Sequence, residues 1–275
     1  MKRLGVIGAG LIGASLVKFW SRRNVDLVVV EPNQASHEAL REACPRAQIS
    51  ETLCSTLKGC DLIVVAVPLG AFEPVLSGLK PILTGTELVI DVAGVKELTQ
   101  DIAEKTIGLS AFIGCHPMAG HAGGGIDASR ADLFMDARIA CCNPSQGNIK
   151  AQLLVSEFWE VQGALPIWMS ARHHDSQVAW TSHLPYTLSA LLMNHLEDIP
   201  NELIGPGFLR STRYADFSTE VMGEVITHNP ALVESLEEFI ERLEALKDIL
   251  KSSPKDALPT LEKAHLLRQS ILKED

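Results

Sequence analysis

Two short motifs in this chain contain residue types that can do chemistry together. The first is the glycine run Gly8-Ala9-Gly10-Leu11-Ile12-Gly13, whose missing side chains let the backbone approach a phosphate closely. The second is Cys115-His116-Pro117-Met118-Ala119-Gly120, in which His116 can accept or donate a proton near neutral pH. A phosphate-bearing redox cofactor beside a proton acceptor is the combination that a dehydrogenase needs.

The elements around the glycine run decide how much weight it carries. Arg3 to Ile7 is predicted to be a short buried strand, and Leu11 to Trp20 has the apolar spacing of a helix that begins inside the run. In that context Gly8 allows the tight turn, Gly10 the approach of a pyrophosphate, and Gly13 close packing of the helix on the strand. The alternative is a glycine turn without a ligand, because a glycine pattern alone is a weak signal.

An acidic residue follows the second predicted strand at the distance expected for ribose binding. The apolar run Leu27 to Val30 ends in Glu31, about 20 residues after the glycine run. A carboxylate there accepts hydrogen bonds from the ribose and repels a 2′-phosphate, so NAD is favoured over NADP. The predicted cofactor contacts are Gly8, Gly10, Leu11, Ile12, Gly13, Glu31, Val67 and Pro68.

Strand and helix patterns alternate up to about residue 142. The further strands are predicted at Asp61 to Val67, Glu87 to Val92 and Arg138 to Cys142, and the further helices at Ala71 to Leu79 and Val95 to Thr106. This α/β alternation predicts a Rossmann-type parallel sheet with helices on both faces. Turn-forming residues at 143–147 then break the pattern, and no strand is predicted after them. We expect a dinucleotide-binding domain at residues 1–146 and an all-helical domain at residues 147–275.

The second half is predicted to be helical. Ala171 to Leu196 is a long helical pattern that Pro185 must kink or break, and Asn229-Pro230 is typical of a helix start. Apolar residues then recur at three- and four-residue spacing, namely Leu232, Leu236, Phe239, Ile240, Leu243, Leu246, Ile249 and Leu250. Since this stripe needs a covering partner, we expect a homodimer through the C-terminal helices.

Composition limits the remaining classes of protein. The chain has 275 residues, 46% of them hydrophobic, which is enough for two domains with substantial cores. Its net charge of −10 argues against nucleic acid as a partner. No apolar run reaches membrane-spanning length, the N-terminus does not resemble a signal peptide, and the six cysteines show no metal or disulfide spacing. We therefore expect a cytoplasmic protein that has no membrane partner.

Several motifs together resemble one family along nearly the whole chain. They are the glycine run, Asp91-Val92-Ala93-Gly94-Val95-Lys96, Gly114-Cys115-His116-Pro117-Met118-Ala119-Gly120, His174-Asp175, Ser182-His183-Leu184-Pro185, and Gly207-Phe208 with Thr212-Arg213. Their order and spacing resemble those of the prephenate and arogenate dehydrogenases of tyrosine biosynthesis. The resemblance implies a dinucleotide-binding N-terminal domain, a helical C-terminal dimerisation domain, and NAD-dependent oxidative decarboxylation of prephenate or arogenate in a cleft between them.

The resemblance also implies roles for individual residues. His116 matches the catalytic histidine that accepts the proton of the substrate hydroxyl, and Arg213 matches the arginine that binds a substrate carboxylate. His174 and Ser182 match polar groups that line and position the site. The full predicted set of substrate-binding residues is Arg213, His174, Ser182, Tyr186, His121 and Arg210.

The chain departs from the family pattern at four places. Gly94 stands where many members have serine, and Tyr186 replaces the second histidine of the usual Ser-His-Leu-Pro-His. Arg210 stands where an aspartate is common, and His121-Ala122 replaces a threonine or serine followed by glutamate. These changes leave open whether the substrate is prephenate, arogenate or a modified prephenate.

Plainer interpretations exist for the same residues. A histidine before proline in a loop can satisfy local backbone groups, and Arg213 can be an ordinary surface arginine. The histidines do not have the spacing of a metal site, so no metal is predicted. Two other classes stay open: another NAD-dependent dehydrogenase, of the 3-hydroxyacid or imine reductase type, and a non-catalytic NAD-binding sensor.

Overall fold

The computed structural model describes residues 1–120, 124–142, 148–198 and 201–274. The chain divides into two compact units, Met1–Asn229 and Pro230–Asp275, and each is described by itself.

One sheet of eight strands organises the first unit. The strands are β1 Arg3–Ile7, β2 Asp26–Val30, β3 Gln48–Ser50, β4 Leu62–Val65, β5 Leu88–Asp91, β6 Phe112–Pro117, β7 Arg138–Cys142 and β8 Leu165–Met169. Their order across the sheet is β3-β2-β1-β4-β5-β6-β7-β8. Neighbouring strands are parallel except β6 and β7, which are antiparallel. From β1 the chain thus adds β2 and β3 on one side and continues with β4 on the other. Parallel α/β sheets bind ligands at such a reversal, outside the carboxyl ends of the strands.

Both faces of the sheet are buried, which explains why its central strands are apolar without alternation. In β4, Leu62 and Val64 belong to one core, while Ile63 and Val65 belong to the core on the opposite face. A strand covered by helices on both sides has no solvent face and needs no polar positions.

The helices of the first unit are α1 Leu11–Trp20, α2 His37–Ala43, α3 Leu69–Leu79, α4 Glu97–Thr106, α5 Ile149–Glu160, α6 Ala171–Val178, α7 Leu184–Asn194, α8 Pro206–Ser211 and α9 Thr219–Thr227. Several of them begin at a capping side chain. Asn148 caps α5, Ser170 caps α6 and Ser218 caps α9, each by accepting a hydrogen bond from a backbone N–H of the first turn.

A π-helical turn interrupts the long helical pattern predicted from residue 171 to 196. The turn spans Ala179–His183 and separates α6 from α7, so the break comes just before Pro185, which lies in the first turn of α7. Proline is tolerated there because the first-turn N–H groups have no partner within the helix. Such turns are frequent at functional sites.

Three features differ from the sequence predictions. Leu165–Met169 is a strand paired with β7, although no strand was predicted after residue 147. The sheet is not wholly parallel, because β7 runs against β6. His116 lies in strand β6 and not in a loop. The proposed division between residues 146 and 147 stays a prediction.

The second unit consists of two helices, α10 Ala231–Ser252 and α11 Leu258–Glu274, joined by a short 3₁₀ turn at Pro254–Ala257. Part of the predicted apolar stripe of α10 is exposed, at Ile240, Leu243 and Leu250. Helix α11 exposes further leucines, including Leu261 and Leu266. Exposed apolar surface of this extent on one unit is typical of a protein interface.

Candidate active site

The glycine run connects β1 to α1 with no room for side chains at two positions. Gly8 has a φ of +91°, and a Cβ added to it would lie 2.4 Å from the carbonyl oxygen of Ala66. A Cβ at Gly13 would lie 1.9 Å from the carbonyl oxygen of Gly8. Glycine is therefore required at both positions to bring α1 against the end of β1.

The N-terminus of α1 is suited to an anion. Its N-cap is Gly10, no side chain caps the helix, and its first turn has no acidic residue. The N–H groups of Leu11 and Ile12 belong to the first turn, whose donors have no partners within the helix. Free donors and the positive end of the helix dipole together form a phosphate-binding arrangement.

Glu31 lies beside this turn at the end of β2. One of its carboxylate oxygens accepts a hydrogen bond from the N–H of Ala9 at 2.7 Å, and the other accepts one from the N–H of Asn33 at 2.8 Å. Val67, which is half-buried, and the exposed Pro68 follow β4 and precede α3. All the predicted cofactor contacts therefore lie at the carboxyl ends of β1, β2 and β4, and this fits a dinucleotide.

A chain of hydrogen bonds connects three side chains behind the predicted catalytic histidine. Nδ1 of His116 lies 2.8 Å from Nε2 of His174, and Nδ1 of His174 lies 2.7 Å from Oδ1 of Asp175. The backbone N–H groups of Lys96 and Glu97, at the start of α4, donate to the two oxygens of Asp175 at 2.8 and 2.9 Å. His174 and Asp175 are each 1% exposed.

The carboxylate of Asp175 fixes which ring nitrogens of His174 and His116 carry a proton. Asp175 is ionised and accepts from two backbone N–H groups, and it also accepts the proton on Nδ1 of His174. Nε2 of His174 is then an acceptor, and the bond to it requires a proton on Nδ1 of His116. This tautomer leaves the lone pair on Nε2 of His116, the nitrogen without a protein partner among the described residues.

A buried ion pair fixes the strand that carries His116. Nζ of Lys96 donates to Oδ2 of Asp91 at 2.5 Å and to the carbonyl oxygen of Cys115 at 2.7 Å. Oδ1 of Asp91 accepts the N–H of Cys115 at 2.9 Å. The last residue of β5 thus binds the residue before His116, and removal of either charge would leave the other buried and unpaired.

The protonation states agree with this geometry. Burial lowers the pKa of His116 well below the ordinary histidine value, and the nearby His174 and Lys96 lower it further. Burial alone would raise the pKa of Asp175, but the hydrogen bonds from His174 and from the backbone at the start of α4 lower it. His116 is therefore neutral and Asp175 charged near neutral pH.

His183 belongs to a second buried contact on the same network. Burial lowers its pKa to about 4, although Asp175 acts in the opposite direction. The side-chain amide of Asn229 lies 3.0 Å from Nδ1 of His183 and donates to the carbonyl oxygen of Asp175 at 2.9 Å. His183 is 1% exposed.

The other predicted substrate-binding residues lie on the helical segments after β8. Arg213 is exposed, its guanidinium lies over the ring of Tyr214, and Nη2 lies 3.3 Å from the Tyr214 hydroxyl. Arg210 is exposed on α8, Ser182 is half-buried in the π-helical turn, and Tyr186 is buried on α7. The structure joins His116 directly to His174, and no hydrogen bond connects the other four to that pair among the described residues. His121 lies outside the described residues.

Asp91, Lys96 and Asp175 stand in the family motifs, but motif spacing alone assigns them no role. The signal was present, because charged side chains inside otherwise apolar segments are usually buried only when paired. Among the described residues, no group of three or more His, Cys, Asp or Glu side chains is arranged to hold a metal ion. Nor is any helix in the described ranges both long and apolar enough to cross a membrane.

Comparisons with known proteins agree along both halves of the chain. Residues 20–167 match a family model described as prephenate dehydrogenase, nucleotide-binding domain, and residues 170–263 match one described as prephenate dehydrogenase, dimerization domain. The glycine run lies before the first matched range.

Individual relatives cover most of the chain. A cyclohexadienyl dehydrogenase of Zymomonas mobilis is 25% identical over 267 residues, which are 94% of this chain and 91% of the relative. The arogenate dehydrogenase of Synechocystis is 29% identical, with a TM-score of 0.83 over 99% of both chains. The prephenate dehydrogenase of Aquifex aeolicus, solved with hydroxyphenyl propionate and NAD⁺, is 22% identical, with a TM-score of 0.89 over 98% of both chains, and supports the fold.

Proposed function

The chain belongs to the prephenate dehydrogenase family, and from this premise we propose how its own residues carry out the NAD-dependent oxidative decarboxylation of prephenate or arogenate. The observation that carries the proposal is the hydrogen-bonded chain from Asp175 through His174 to His116, because it leaves a basic nitrogen on a partly exposed histidine.

The glycine turn and Glu31 hold the cofactor in this proposal. The N–H groups of Leu11 and Ile12 bind the pyrophosphate, Glu31 binds the adenosine ribose, and Val67 and Pro68 lie along the cofactor. NAD⁺ held by these residues would supply the hydride acceptor. Glu31 has no cationic partner among the described residues, so its carboxylate repels the 2′-phosphate of NADP.

His116 takes the proton of the substrate hydroxyl. The substrate is a cyclohexadiene with a hydroxyl and a hydrogen at C4 and a carboxylate at C1. As C4 loses its hydrogen as hydride, Nε2 of His116 accepts the hydroxyl proton and a C4 carbonyl begins to form. The C1–carboxylate bond then breaks and carbon dioxide leaves. The electrons of that bond complete the aromatic ring and turn the C4 carbonyl into a phenolate oxygen, which takes a proton to give the phenol. The hydrogen bond that Nδ1 of His116 donates to His174 favours protonation at Nε2, because His174 and Asp175 stabilise the imidazolium that forms.

Arginine and polar groups bind the rest of the substrate. Arg213 binds a carboxylate through its planar guanidinium, and Arg210 adds positive charge on the neighbouring helix. Ser182 and Tyr186 supply hydroxyl groups from the π-helical turn and from α7, and His121 is proposed to contact the substrate as well. Prephenate and arogenate each carry a carboxylate that Arg213 would bind.

We also propose that the enzyme is a homodimer in the cytoplasm, with residues 1–146 binding the dinucleotide and residues 147–275 forming the substrate and dimerisation domain. The second matched family model is described as a dimerization domain, and the second unit exposes a long apolar surface. Light scattering of the purified protein measures the stoichiometry, and a monomeric mass would contradict the proposal.

The function is tested by following reduction of NAD⁺ and NADP⁺ with prephenate and arogenate supplied separately. Turnover of either substrate with NAD⁺ is the expected result. If the protein binds NAD⁺ but turns over neither substrate, the activity proposed here is wrong, and a modified prephenate becomes the next substrate to assay.

A further inference from the structure

Helix α9 is anchored to the start of α3 by a carboxylate. Oε2 of Glu224 accepts the N–H of Leu69 at 2.7 Å, and Oε1 accepts the N–H of Gly70 at 3.2 Å. These are the first two residues of α3, so the carboxylate lies at the positive end of that helix. The anchor places the middle of α9 at the carboxyl end of the sheet, beside the loop that follows β4.

The residue after Glu224 packs where position 94 has no side chain. A Cβ built on Gly94 would lie 3.1 Å from Cγ2 and 3.6 Å from Cγ1 of Val225, and 3.8 Å from Cε1 of His116. Val225 therefore occupies most of the space that a side chain at position 94 needs. The same position adjoins the edge of the His116 ring, between the nitrogen bound to His174 and the nitrogen assigned as the base.

We propose that Val225 is a positioning residue for the reaction. Glu224 holds Val225 over Gly94, and the valine side chain closes the side of the site next to Cε1 of His116 with an apolar group. The inference rests on the proposed function of His116. Val225 acts through its packing beside Gly94 and His116. It fills the space that a side chain at position 94 would occupy, and it keeps water from that edge of the His116 ring. Thus the absence of a side chain at 94 is compensated sterically from α9.

A double-mutant cycle tests this packing. In Gly94→Ala the added methyl group overlaps only Val225, which must move by a few tenths of an ångström. We expect kcat to fall about tenfold with little change in KM, since displacements of about 1 Å at a reacting centre can cost about a hundredfold. Val225→Ala opens the space and should lower kcat by a similar factor. The double variant Gly94→Ala/Val225→Ala should recover most of the lost kcat, because the new methyl group fills the space that valine vacates.

Gly223 offers a matched control on the same helix. A Cβ there meets nothing within 4 Å, so Gly223→Ala should keep the wild-type kcat. For the anchor, Glu224→Gln retains an acceptor and should keep more activity than Glu224→Ala. Multiplicative losses in the double variant, or a loss in Gly223→Ala equal to that in Gly94→Ala, would overturn the role of Val225.

A spectroscopic readout separates this inference from the proposed function. Imidazole nitrogen NMR of His116 is expected to change in Gly94→Ala and to return toward the wild-type spectrum in the double variant, whichever substrate the enzyme uses. A wild-type protein inactive on both substrates would contradict the proposed function alone, whereas an unchanged His116 signal in Gly94→Ala would contradict the inference.

Discussion

The substitution Asp175→Asn tests the hydrogen-bonded chain behind His116. Asparagine has the same shape as aspartate but only one acceptor oxygen, whereas three N–H groups point at this carboxylate, from His174, Lys96 and Glu97. Oδ1 accepts from both His174 and Lys96, whereas Oδ2 accepts only from Glu97, so the amide oxygen keeps the Oδ1 side and the NH₂ faces the N–H of Glu97. The bond to His174 is then kept, but the neutral amide no longer stabilises the imidazolium that forms when His116 accepts a proton, so His116 becomes a weaker base.

The expected fall in kcat follows from the support that the hydrogen bonds from Asp175 through His174 give to His116. General base catalysis contributes about 10²- to 10⁴-fold to turnover, so loss of the charge behind the base should lower kcat by up to that factor, while KM and the affinity for NAD⁺ stay close to wild type. Stability falls as well, because each buried hydrogen bond to a charged group contributes about 1.5–3 kcal/mol to the free energy of unfolding.

Glu87→Gln separates the two effects. Glu87 is also buried, accepts the N–H groups of Gly59 and Thr84 at 2.8 and 2.9 Å, and has its pKa lowered to about 2 by these bonds although burial opposes the shift. The same loss of one acceptor there should reduce stability and leave kcat unchanged. The assay is steady-state turnover of both variants, with urea unfolding to measure stability. A kcat of Asp175→Asn equal to that of Glu87→Gln would refute the role of the Asp175 charge behind His116.

Three further predictions use the same assays. His116→Asn removes the base and should chiefly lower kcat, by about 10²-fold or more, so near wild-type turnover would exclude the proposed step. Arg213→Ala removes a binding contact and should chiefly raise KM. Glu31→Ser should lower the preference for NAD⁺ over NADP⁺ in kcat/KM, and unchanged discrimination would remove Glu31 from the cofactor site. His183 faces Asp175 and His174 and has a pKa of about 4 in the folded protein. Since the unfolded state therefore binds more protons below pH 6.5, the free energy of unfolding should fall by up to about 3 kcal/mol between pH 6.5 and 4. Urea unfolding across this pH range should show a smaller fall for His183→Gln, and an equal fall would assign the pH dependence to other groups.

The nucleotide-binding half was predictable because its signals are local. A strand, a glycine turn and a helix within the first 20 residues each have their own sequence pattern, and α1 begins and ends at the predicted residues. Strand β8 was missed because Leu165–Met169 contains a proline and is followed by a helix cap, and because its pairing partner β7 lies more than 20 residues earlier. A short apolar segment of this kind is recognised as a strand only when its neighbour in the sheet is known.

The roles of the site residues depend on contacts that no motif spacing encodes. His174 was predicted to line the substrate site, yet both of its ring nitrogens have protein partners and its side chain is 1% exposed. A ring with two occupied nitrogens has no further polar atom to offer a substrate. We therefore propose that His174 acts on the reaction through His116, so the hydrogen bonds to the substrate must come from side chains with free donors. Arg213 and Ser182, which are exposed and half-buried, meet that requirement, and the affinity for the substrate should consequently respond to changes at these two positions more than to any change at His174.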